Sequence, residues 1–281
     1  MRIIAALDTK SYSEEIINEV AKLAANTWAD LTLLGLQSGN KEPDQALVDA
    51  MARYKDHILS AMEEPSPYAE LAVSDLKETG PGRWQVSSRG RKELSVTIRG
   101  GDARKEILAE AQEREADLIM LGCTRGIDCI WEGEPNLPQR VARDAACSVL
   151  VIKSSRTPSQ IVSFLDQTSV SQESLEMVNQ MVTVHGAGLK IVGLKTPKGV
   201  VGKGDVEKKM VEILKYYNEK NISAWIMMVD NDKLEEYVAQ STKEGMVALW
   251  MGKESLLSKI FSRGLIEKLI SNTQSSVLIL R

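Results

Sequence analysis

The sequence predicts an α/β protein made of two similar Rossmann-like domains, each an open, mostly parallel five-stranded sheet with helices on both faces. Three observations lead to this fold class. Short apolar runs alternate along the chain with segments of helical periodicity. The order of these segments in the first half of the chain recurs in the second half. The 281 residues are enough for one or two domains, each of which can bury an ordinary core.

The apolar runs of the first half are typical of strands buried on both faces, as parallel strands are. In chain order they are IIAAL, LTLLGL, LSVTI, LIMLG and SVLVI. Helical segments lie between them. In SEEIINEVAKLAA the apolar residues from Ile16 to Ala24 share one face, and Ser11 and Glu14 have the spacing of a capping box. Asp102 stands where it can cap the helix ARKEILAEAQ.

The two halves correspond in a constant order. At an offset of 158 residues AALDTKSYSEEI matches SFLDQTSVSQES, and the same offset pairs Asp8 with Asp166 and Gly35 with Gly193. At an offset of 130 residues GDARKEILAEA matches NDKLEEYVAQS. The first half therefore carries about 28 extra residues, 158 minus 130, between its second and third apolar runs. A tandem of two related units accounts for this pattern.

The domain boundaries follow from the repeat. We place the first domain at residues 1–154 and the second at 159–281, joined by the polar stretch SSRTPS. The extra residues of the first domain fall in an insertion at about 38–93. In this insertion VDAMARYKDHILSAM is a helix by its period, and ETGPGRWQVSSRGRKE is an irregular or hairpin excursion. Trp84 in the excursion either packs on the sheet or covers a pocket.

Composition argues against several classes of function. A formal charge of -4 with 26% charged residues offers no electrostatic footprint for nucleic acid. The chain has no run of about 18 apolar residues, so we expect no membrane span. The start, MRIIAALDTK, lacks the pattern of a secretory signal, which predicts a cytoplasmic protein.

Cysteines and histidines give no catalytic or metal-binding pattern. Cys123, Cys129 and Cys147 form no paired framework, and the spacing of the first two matches no common zinc signature. We therefore expect free thiols and no metal site. His57 and His185 lie far apart, and the sequence has no Walker lysine motif and no local motif of a catalytic triad. The expected role is non-enzymatic, with slow ATP hydrolysis as the most that the residues would support.

The segment ADLIMLGCTRG ends an apolar run in a glycine-containing loop. In an open α/β sheet, ligands bind beyond the carboxyl ends of the strands. Gly122 and Gly126 allow the backbone to approach a ligand and to adopt positive φ, and consecutive amides can form an anion nest. Thr124 can donate a hydrogen bond and Arg125 supplies a charge. The loop is either a phosphate cradle or a plain turn.

Two further features fall at the same edge. Pro138 marks the first turn of the helix PQRVARDAA, with Asn136 or Leu137 at its cap. The free amides and partial positive charge of such a helix start favour an anion. Asp8 closes the first strand, where it either accepts hydrogen bonds from a ribose or an adenine amine, or caps the helix near Ser11.

The stretches LDTKSYSEE, ADLIMLGCTRG and VARDAACSVLVIK, in this order and spacing, resemble the universal stress protein family, here as a tandem of two domains. The resemblance covers nearly all of residues 1–154 outside the insertion, and 159–281 more faintly. It implies a five-stranded parallel sheet between helices and, in many members, ATP or AMP bound through a glycine motif. By this match Ala6, Leu7 and Asp8 lie along the base, Leu36 meets it through backbone, and Gly122, Thr124, Arg125 and Gly126 surround the phosphates.

The glycine motif departs from the family pattern. Gly122 and Gly126 are separated by three residues instead of two, and Asn136 and Leu137 replace the glycine and the serine or threonine that follow. Asn tolerates left-handed φ, but Leu137 supplies no hydroxyl, so AMP or a weaker ligand stays open beside ATP. In the second half, no glycine follows Gly252 until residue 264. We expect that half to bind no nucleotide.

Two functions follow from these features. The first is a stress-related regulatory protein that binds an adenine nucleotide in its first domain. The alternative is a nucleotide-independent interaction or scaffold module that acts on a partner such as a transporter or kinase. The lost glycine-serine pair and the apolar loop of the second half, which begins GKESLLSKIF, favour it. Family members often dimerise through their last strands, so SVLVI and SVLIL are predicted to pair within one molecule, and a further homodimer stays open.

Overall fold

The chain forms two compact units, Met1–Lys153 and Ser154–Arg281, called unit 1 and unit 2 below. The computed structural model describes residues 1–39, 42–122, 129, 131, 134–153, 157–165, 170–195, 203–241, 243, 245–252, 263–273 and 275–281. No helix in these ranges is both long enough and apolar enough to span a bilayer.

Unit 1 alternates strands and helices and adds a hairpin. Its elements are β1 (Arg2–Leu7), α1 (Ser11–Thr27), β2 (Asp30–Gln37), α2 (Gln45–Ser60), a 3₁₀ turn (Val73–Asp75), β3 (Lys77–Gly80), β4 (Arg83–Arg89), β5 (Glu93–Gly100), α3 (Ala103–Glu113), β6 (Leu118–Gly122), α4 (Leu137–Asp144) and β7 (Ser148–Ile152).

The sheet of unit 1 has the order β7-β6-β1-β2-β5-β4-β3. The strands from β7 to β5 are parallel, and β4 and β3 continue the sheet as an antiparallel hairpin. The chain runs outward from β1 through β2 to β5 and then returns to β6 on the other side of β1. The strand order therefore reverses between β1 and β6, which is where open α/β sheets bind ligands.

Side chains alternate between two helix-covered faces of this sheet. On one face, Gly35 of β2 lies beside Ile98 of β5 and Met51 of α2. A Cβ added at Gly35 would lie 3.3 Å from the Met51 sulfur. On the other face, Arg99 of β5 contacts Glu110 of α3. The Arg99 Nε lies 2.7 Å from a carboxylate oxygen of Glu110. The α/β fold class predicted from the sequence is confirmed.

The predicted insertion supplies α2 and the β3–β4 hairpin. Trp84 of β4 pairs with Ile98 of β5 and is 8% exposed. It therefore packs on the sheet, which was one of the two roles that the sequence left open for it.

Two predicted helix caps had different outcomes. The Asp102 carboxylate accepts a hydrogen bond from Lys105 N at 2.9 Å, as expected of a cap. The capping box of Ser11 and Glu14 is wrong, because α1 begins at Ser11 with Lys10 as its N-cap residue and no side-chain cap there. Asp8 instead holds the turn ahead of the helix, where its carboxylate accepts a hydrogen bond from Lys10 N.

A buried ion network joins β5 to α3. Glu110 is fully buried, and its carboxylate accepts hydrogen bonds from Arg99, Arg83 and Arg114 at 2.7, 3.2 and 3.0 Å. Arg99 also contacts Glu113 at 2.7 Å. Partial burial opposes the ionisation of Glu113, but the guanidinium groups of Arg99 and Arg83 outweigh it and hold its pKa below the usual value.

Unit 2 repeats the parallel part of this fold. Its elements are β8 (Gln160–Leu165), α5 (Gln172–His185), β9 (Gly188–Lys195), α6 (Lys203–Glu219), β10 (Ala224–Asp230), a 3₁₀ turn (Asn231–Lys233), α7 (Leu234–Ser241), β11 (Met246–Trp250), α8 (Arg263–Asn272) and β12 (Val277–Leu280).

The strand order of unit 2 is β10-β9-β8-β11-β12, and all four pairings are parallel. This matches β5-β2-β1-β6-β7 of unit 1. The registers agree as well, because Gly35 lies opposite Ile98 in unit 1 and Gly193 lies opposite Met228 in unit 2. The offsets of 158 and 130 residues seen in the sequence therefore relate structurally equivalent strand positions.

Candidate functional site

The carboxyl ends of β1, β2 and β6 form one edge of the sheet of unit 1. Leu7 pairs with Gly35, one residue before Leu36, and Ala5 pairs with Met120, two residues before Gly122. The predicted site residues Ala6, Leu7, Asp8, Leu36 and Gly122 all lie at or near this edge, and each is buried. Thr124, Arg125 and Gly126, the remaining predicted loop residues, lie outside the described residues.

Asp8 is fully buried and organises the start of α1. One carboxylate oxygen accepts hydrogen bonds from Lys10 N and Ser13 Oγ, each at 2.8 Å, and the other accepts one from the Tyr12 hydroxyl. The backbone of Asp8 is held as well, since Tyr54 of α2 donates to its carbonyl at 3.1 Å. Asp8 therefore holds the turn that leads into α1. The amide that it accepts from belongs to Lys10, ahead of the helix, so Asp8 does not cap a helix amide of α1.

The partners of Asp8 were missed by the sequence analysis. Tyr12 and Ser13 follow Asp8 closely, so a carboxylate ahead of a Tyr-Ser pair at a helix start was a usable signal. Tyr54 belongs to the insertion, and nothing in its local sequence indicates that it would reach β1. Burial raises the pKa of the Tyr54 phenol, and the nearby carboxylate of Asp8 adds to the shift.

Gly122 is the last residue of β6 and packs tightly against α1. A Cβ added at Gly122 would lie 2.9 Å from Ile16 Cγ1 and 3.3 Å from the carbonyl oxygen of Ile152. Gly122 does not adopt a positive φ, so that part of the sequence interpretation is wrong. The missing side chain allows the close approach of helix and strand, which is a usual role of a glycine in a strand.

The start of α4 carries Asn136 and Leu137 where the family pattern has a glycine and a serine or threonine. Asn136 is exposed and left-handed, with φ 61° and ψ 19°, as predicted for an Asn at this position. Its side chain does not cap the helix and instead accepts a hydrogen bond from Gln139 at 3.1 Å. Leu137 is fully buried, so it contributes to the core and offers nothing polar to a ligand.

Two buried residues close in the chain to the predicted loop or to its strand were not singled out from the sequence. Trp131 is fully buried and forms two backbone hydrogen bonds with Glu134 ahead of α4. Within the described ranges no group accepts a hydrogen bond from its indole Nε1. Lys153 follows Ile152, which pairs with Gly122, and burial lowers the pKa of its amine to about 8. A polar donor and a basic group thus stand close to the predicted loop in the chain.

Comparison with known proteins identifies the family. The model of the universal stress protein family matches residues 1–153. The chain belongs to the universal stress protein family. No curated protein matches the sequence significantly.

Solved structures similar to this universal stress protein extend over both units, at identities that show the fold alone. A putative universal stress protein from Pseudomonas aeruginosa UCBPP-PA14 has a TM-score of 0.59 and 16% identity, covering 100% of this chain and 93% of its own. A universal stress protein from Archaeoglobus fulgidus DSM 4304 has a TM-score of 0.56 and 12% identity, with coverages of 99% and 96%. The cytoplasmic domain of a prokaryotic cation chloride cotransporter has a TM-score of 0.56 and 10% identity, with coverages of 99% and 94%.

The cysteines differ from the expectation of free thiols. Cys147 forms no disulfide, but Cys129 is disulfide-bonded, so the prediction is wrong for Cys129. Disulfide formation depends on the distance between two Cα atoms, and sequence spacing does not report the path of the loop between them. Cys123 lies outside the described residues. Across the described ranges no three His, Cys, Asp or Glu side chains are grouped closely enough to hold a metal ion.

Replacement of Gly122 by alanine tests whether this position is used for packing. We expect Gly122→Ala to lower the free energy of unfolding of unit 1 by about 1–3 kcal/mol, because Ile16 and the backbone of Ile152 must move. Urea denaturation measures the change. Gly80→Ala is the matched control, because a Cβ at Gly80 meets nothing within 4 Å. Equal stability of the two variants would contradict the packing role.

Proposed function

We propose that this protein is a non-enzymatic, stress-related regulator in which unit 1 binds an adenine nucleotide, ATP or AMP, at the edge formed by β1 and β6. The observation that carries the proposal is the reversal of strand order between these two strands in a member of the universal stress protein family. In this arrangement the backbone around Ala6, Leu7 and Leu36 borders the base. The loop after Gly122 and the start of α4 face the phosphates.

The start of α4 is suited to an anion. The carboxylates of Asp44 and Asp102 cap α2 and α3, whereas the Asn136 side chain leaves the first amides of α4 without a side-chain cap. Free amides at a helix start attract phosphate. The indole N–H of Trp131 adds a buried donor that would gain a partner from a polar ligand.

Unit 2 is proposed as a second, degenerate domain of the same family that binds no nucleotide. Gly252 is the equivalent of Gly122, and a Cβ added there would lie 2.3 Å from the indole ring of Trp250. An aromatic ring therefore fills the space beside this strand end. Asp166, the equivalent of Asp8, and the apolar loop at 253–262 lie outside the described residues.

Isothermal titration of the whole chain with ATP and with AMP tests the nucleotide site. We expect saturation at one nucleotide per chain, because only unit 1 is proposed to bind. Arg125→Ala should weaken ATP binding about tenfold, since one charged hydrogen bond to phosphate contributes roughly 1.5 kcal/mol or more. Arg89→Ala is the matched control, because Arg89 lies beside the first residue of β5, at the amino edge of the sheet.

The outcomes of this titration separate the two proposed functions. Absence of saturable heat with either nucleotide would overturn the nucleotide site. The alternative function, a nucleotide-independent module that acts on a protein partner, rests on the burial of Leu137 where the family places a hydroxyl. A pull-down with nucleotide-free protein supports that alternative if a stoichiometric partner is retained and added ATP or AMP does not release it.

A further inference from the structure

The strand β10 lies at an edge of the sheet of unit 2. It pairs with β9 over its full length, from Ala224 opposite Leu189 to Asp230 opposite Lys195. In the part of the chain that the structure describes, no strand pairs with its other side. The amide and carbonyl groups along that side are therefore available to a further strand.

The equivalent strand of unit 1 is covered. The shared register makes β5 the counterpart of β10, and β4 pairs antiparallel with β5 from Arg83 to Arg89. The outermost strand of unit 1 is then β3, which has only four residues and exposes Lys77 and Glu78. Short, charged edge strands resist association. Unit 1 thus ends in a protected edge, whereas β10 has seven residues and a single charge, Asp230, at its end.

Two large apolar side chains on one face of β10 are exposed to solvent, whereas Val229 on the same face is buried. Trp225 is 44% exposed and Met227 is 39% exposed. Their counterparts in β5 are Ser95 and Thr97, both of which are fully buried. Unit 2 therefore exposes large apolar side chains at positions where unit 1 buries small polar ones, which is the reverse of what solvation alone would favour.

The helices of unit 2 leave Trp225 and Met227 exposed on this face. The opposite face of β10 is covered by α6. Met228 of β10 and Met210 of α6 both lie next to Gly193 of β9. A Cβ added at Gly193 would be 2.7 Å from the Met228 sulfur and 2.9 Å from the Met210 methyl carbon. On the face of Trp225, α7 contacts β10, and Lys190 of β9 lies over the Tyr237 ring of α7 at 5.0 Å. Trp225 is the strand neighbour of Lys190 on the outer side.

We propose that β10 pairs antiparallel with β10 of a second copy of this chain, which makes the protein a twofold-symmetric homodimer. The pairing is centred on Met227, which lies opposite Met227 of the second copy. Trp225 of each copy then lies opposite Val229 of the other, and Ile226 lies opposite Met228. Every position from Ala224 to Val229 is uncharged and apolar, so the strand is complementary to itself on both faces. In unit 1, the antiparallel pairing of β4 with β5 covers the equivalent strand edge within one chain.

A second copy suits this edge better than an unrelated strand. Any partner must be apolar at every position, because both faces of β10 carry large apolar side chains. Self-pairing meets this requirement and closes after two copies, so that no edge is left for further growth. Directly opposed side chains in such a pair lie about 4.5–5.5 Å apart at Cβ, which brings the Trp225 and Met227 side chains of both copies into one cluster.

Sedimentation velocity of the full-length chain over a range of concentrations tests the dimer. The wild-type chain should dimerise, and Met227→Lys should weaken dimerisation at least tenfold, because it opposes two ammonium groups at the twofold axis. Val211→Lys is the matched control, since Val211 lies on α6 and is 64% exposed. It adds the same charge and should leave the dimer intact. Circular dichroism and thermal melting establish that both variants are folded.

Cross-linking tests the predicted register independently of charge. Met227→Cys should be joined to its symmetry mate by a short bifunctional maleimide, whereas Val211→Cys should give only the background of the wild-type chain. A chain that is monomeric at all concentrations would overturn the proposal. So would a dimer that Met227→Lys leaves unchanged, or a monomer that instead binds an apolar strand peptide along β10.

Discussion

Glu110→Ala is expected to lower the free energy of unfolding of unit 1 by about 3–5 kcal/mol, the usual cost of breaking a buried ion pair from one side. Glu110 is fully buried between β5 and α3, and three arginines donate hydrogen bonds to it. Arg99 is itself 5% exposed. Without Glu110, the Arg99 guanidinium keeps its ion pairs with the more exposed Glu106 and Glu113.

Urea denaturation measures the change, and hydrogen exchange of β5 and α3 assigns it to unit 1. Glu115→Gln is the matched control, because Glu115 pairs with Arg2 where both side chains are well exposed, and such pairs contribute little. A Glu110→Ala variant as stable as this control would contradict the account. The depressed pKa of Glu113 adds a pH dependence. Its contribution is complete above its ordinary value of 4.5 and is lost as the pH falls through the lower folded-state value.

Asp8→Ala is the second large change, with an expected loss of about 2–4 kcal/mol in the free energy of unfolding. The substitution removes the acceptor for Lys10 N and for the hydroxyls of Tyr12 and Ser13. The two hydroxyls are buried, and a buried donor without an acceptor carries its full desolvation cost. Thermal and urea denaturation measure the loss.

Two variants separate the structural role of Asp8 from a role in binding. Ser13→Ala removes one of the three donors and should cost clearly less than Asp8→Ala. Asp8→Asn keeps the size of the side chain and one acceptor oxygen, so it can be titrated with ATP and AMP while folded. Unchanged nucleotide affinity in Asp8→Asn would assign Asp8 to the helix start alone. Stability of Asp8→Ala within about 0.5 kcal/mol of the wild type would contradict the structural role of these hydrogen bonds.

Much of the fold could be predicted because it depends on local patterns. Apolar runs mark the parallel strands, and the internal repeat shows which strands of the two units correspond. The carboxyl ends of parallel strands lie at one edge of the sheet, so the sequence predicts that Asp8 and Gly122 lie at the same edge. The left-handed Asn136 was predictable for a similar reason, since few residues tolerate that backbone.

The remaining parts of the site depend on contacts between distant segments. Tyr54 reaches the carbonyl of Asp8 from 46 residues away, and the fit of Ile16 to Gly122 depends on how closely α1 approaches β6. The burial of Lys153 and Trp131 and the disulfide of Cys129 depend in the same way on three-dimensional packing. Sequence spacing carries no measure of such approaches.

The central position of β1 has a consequence for synthesis of the protein. β2 can pair with β1 as soon as it leaves the ribosome, but the other neighbour, β6, begins at Leu118. At roughly 5–20 residues per second, the nascent chain waits several seconds between the end of β2 and the arrival of β6. During that interval one side of β1 stays unpaired and apolar, so cotranslational chaperones are expected to bind chains truncated before β6 and to release those that include it.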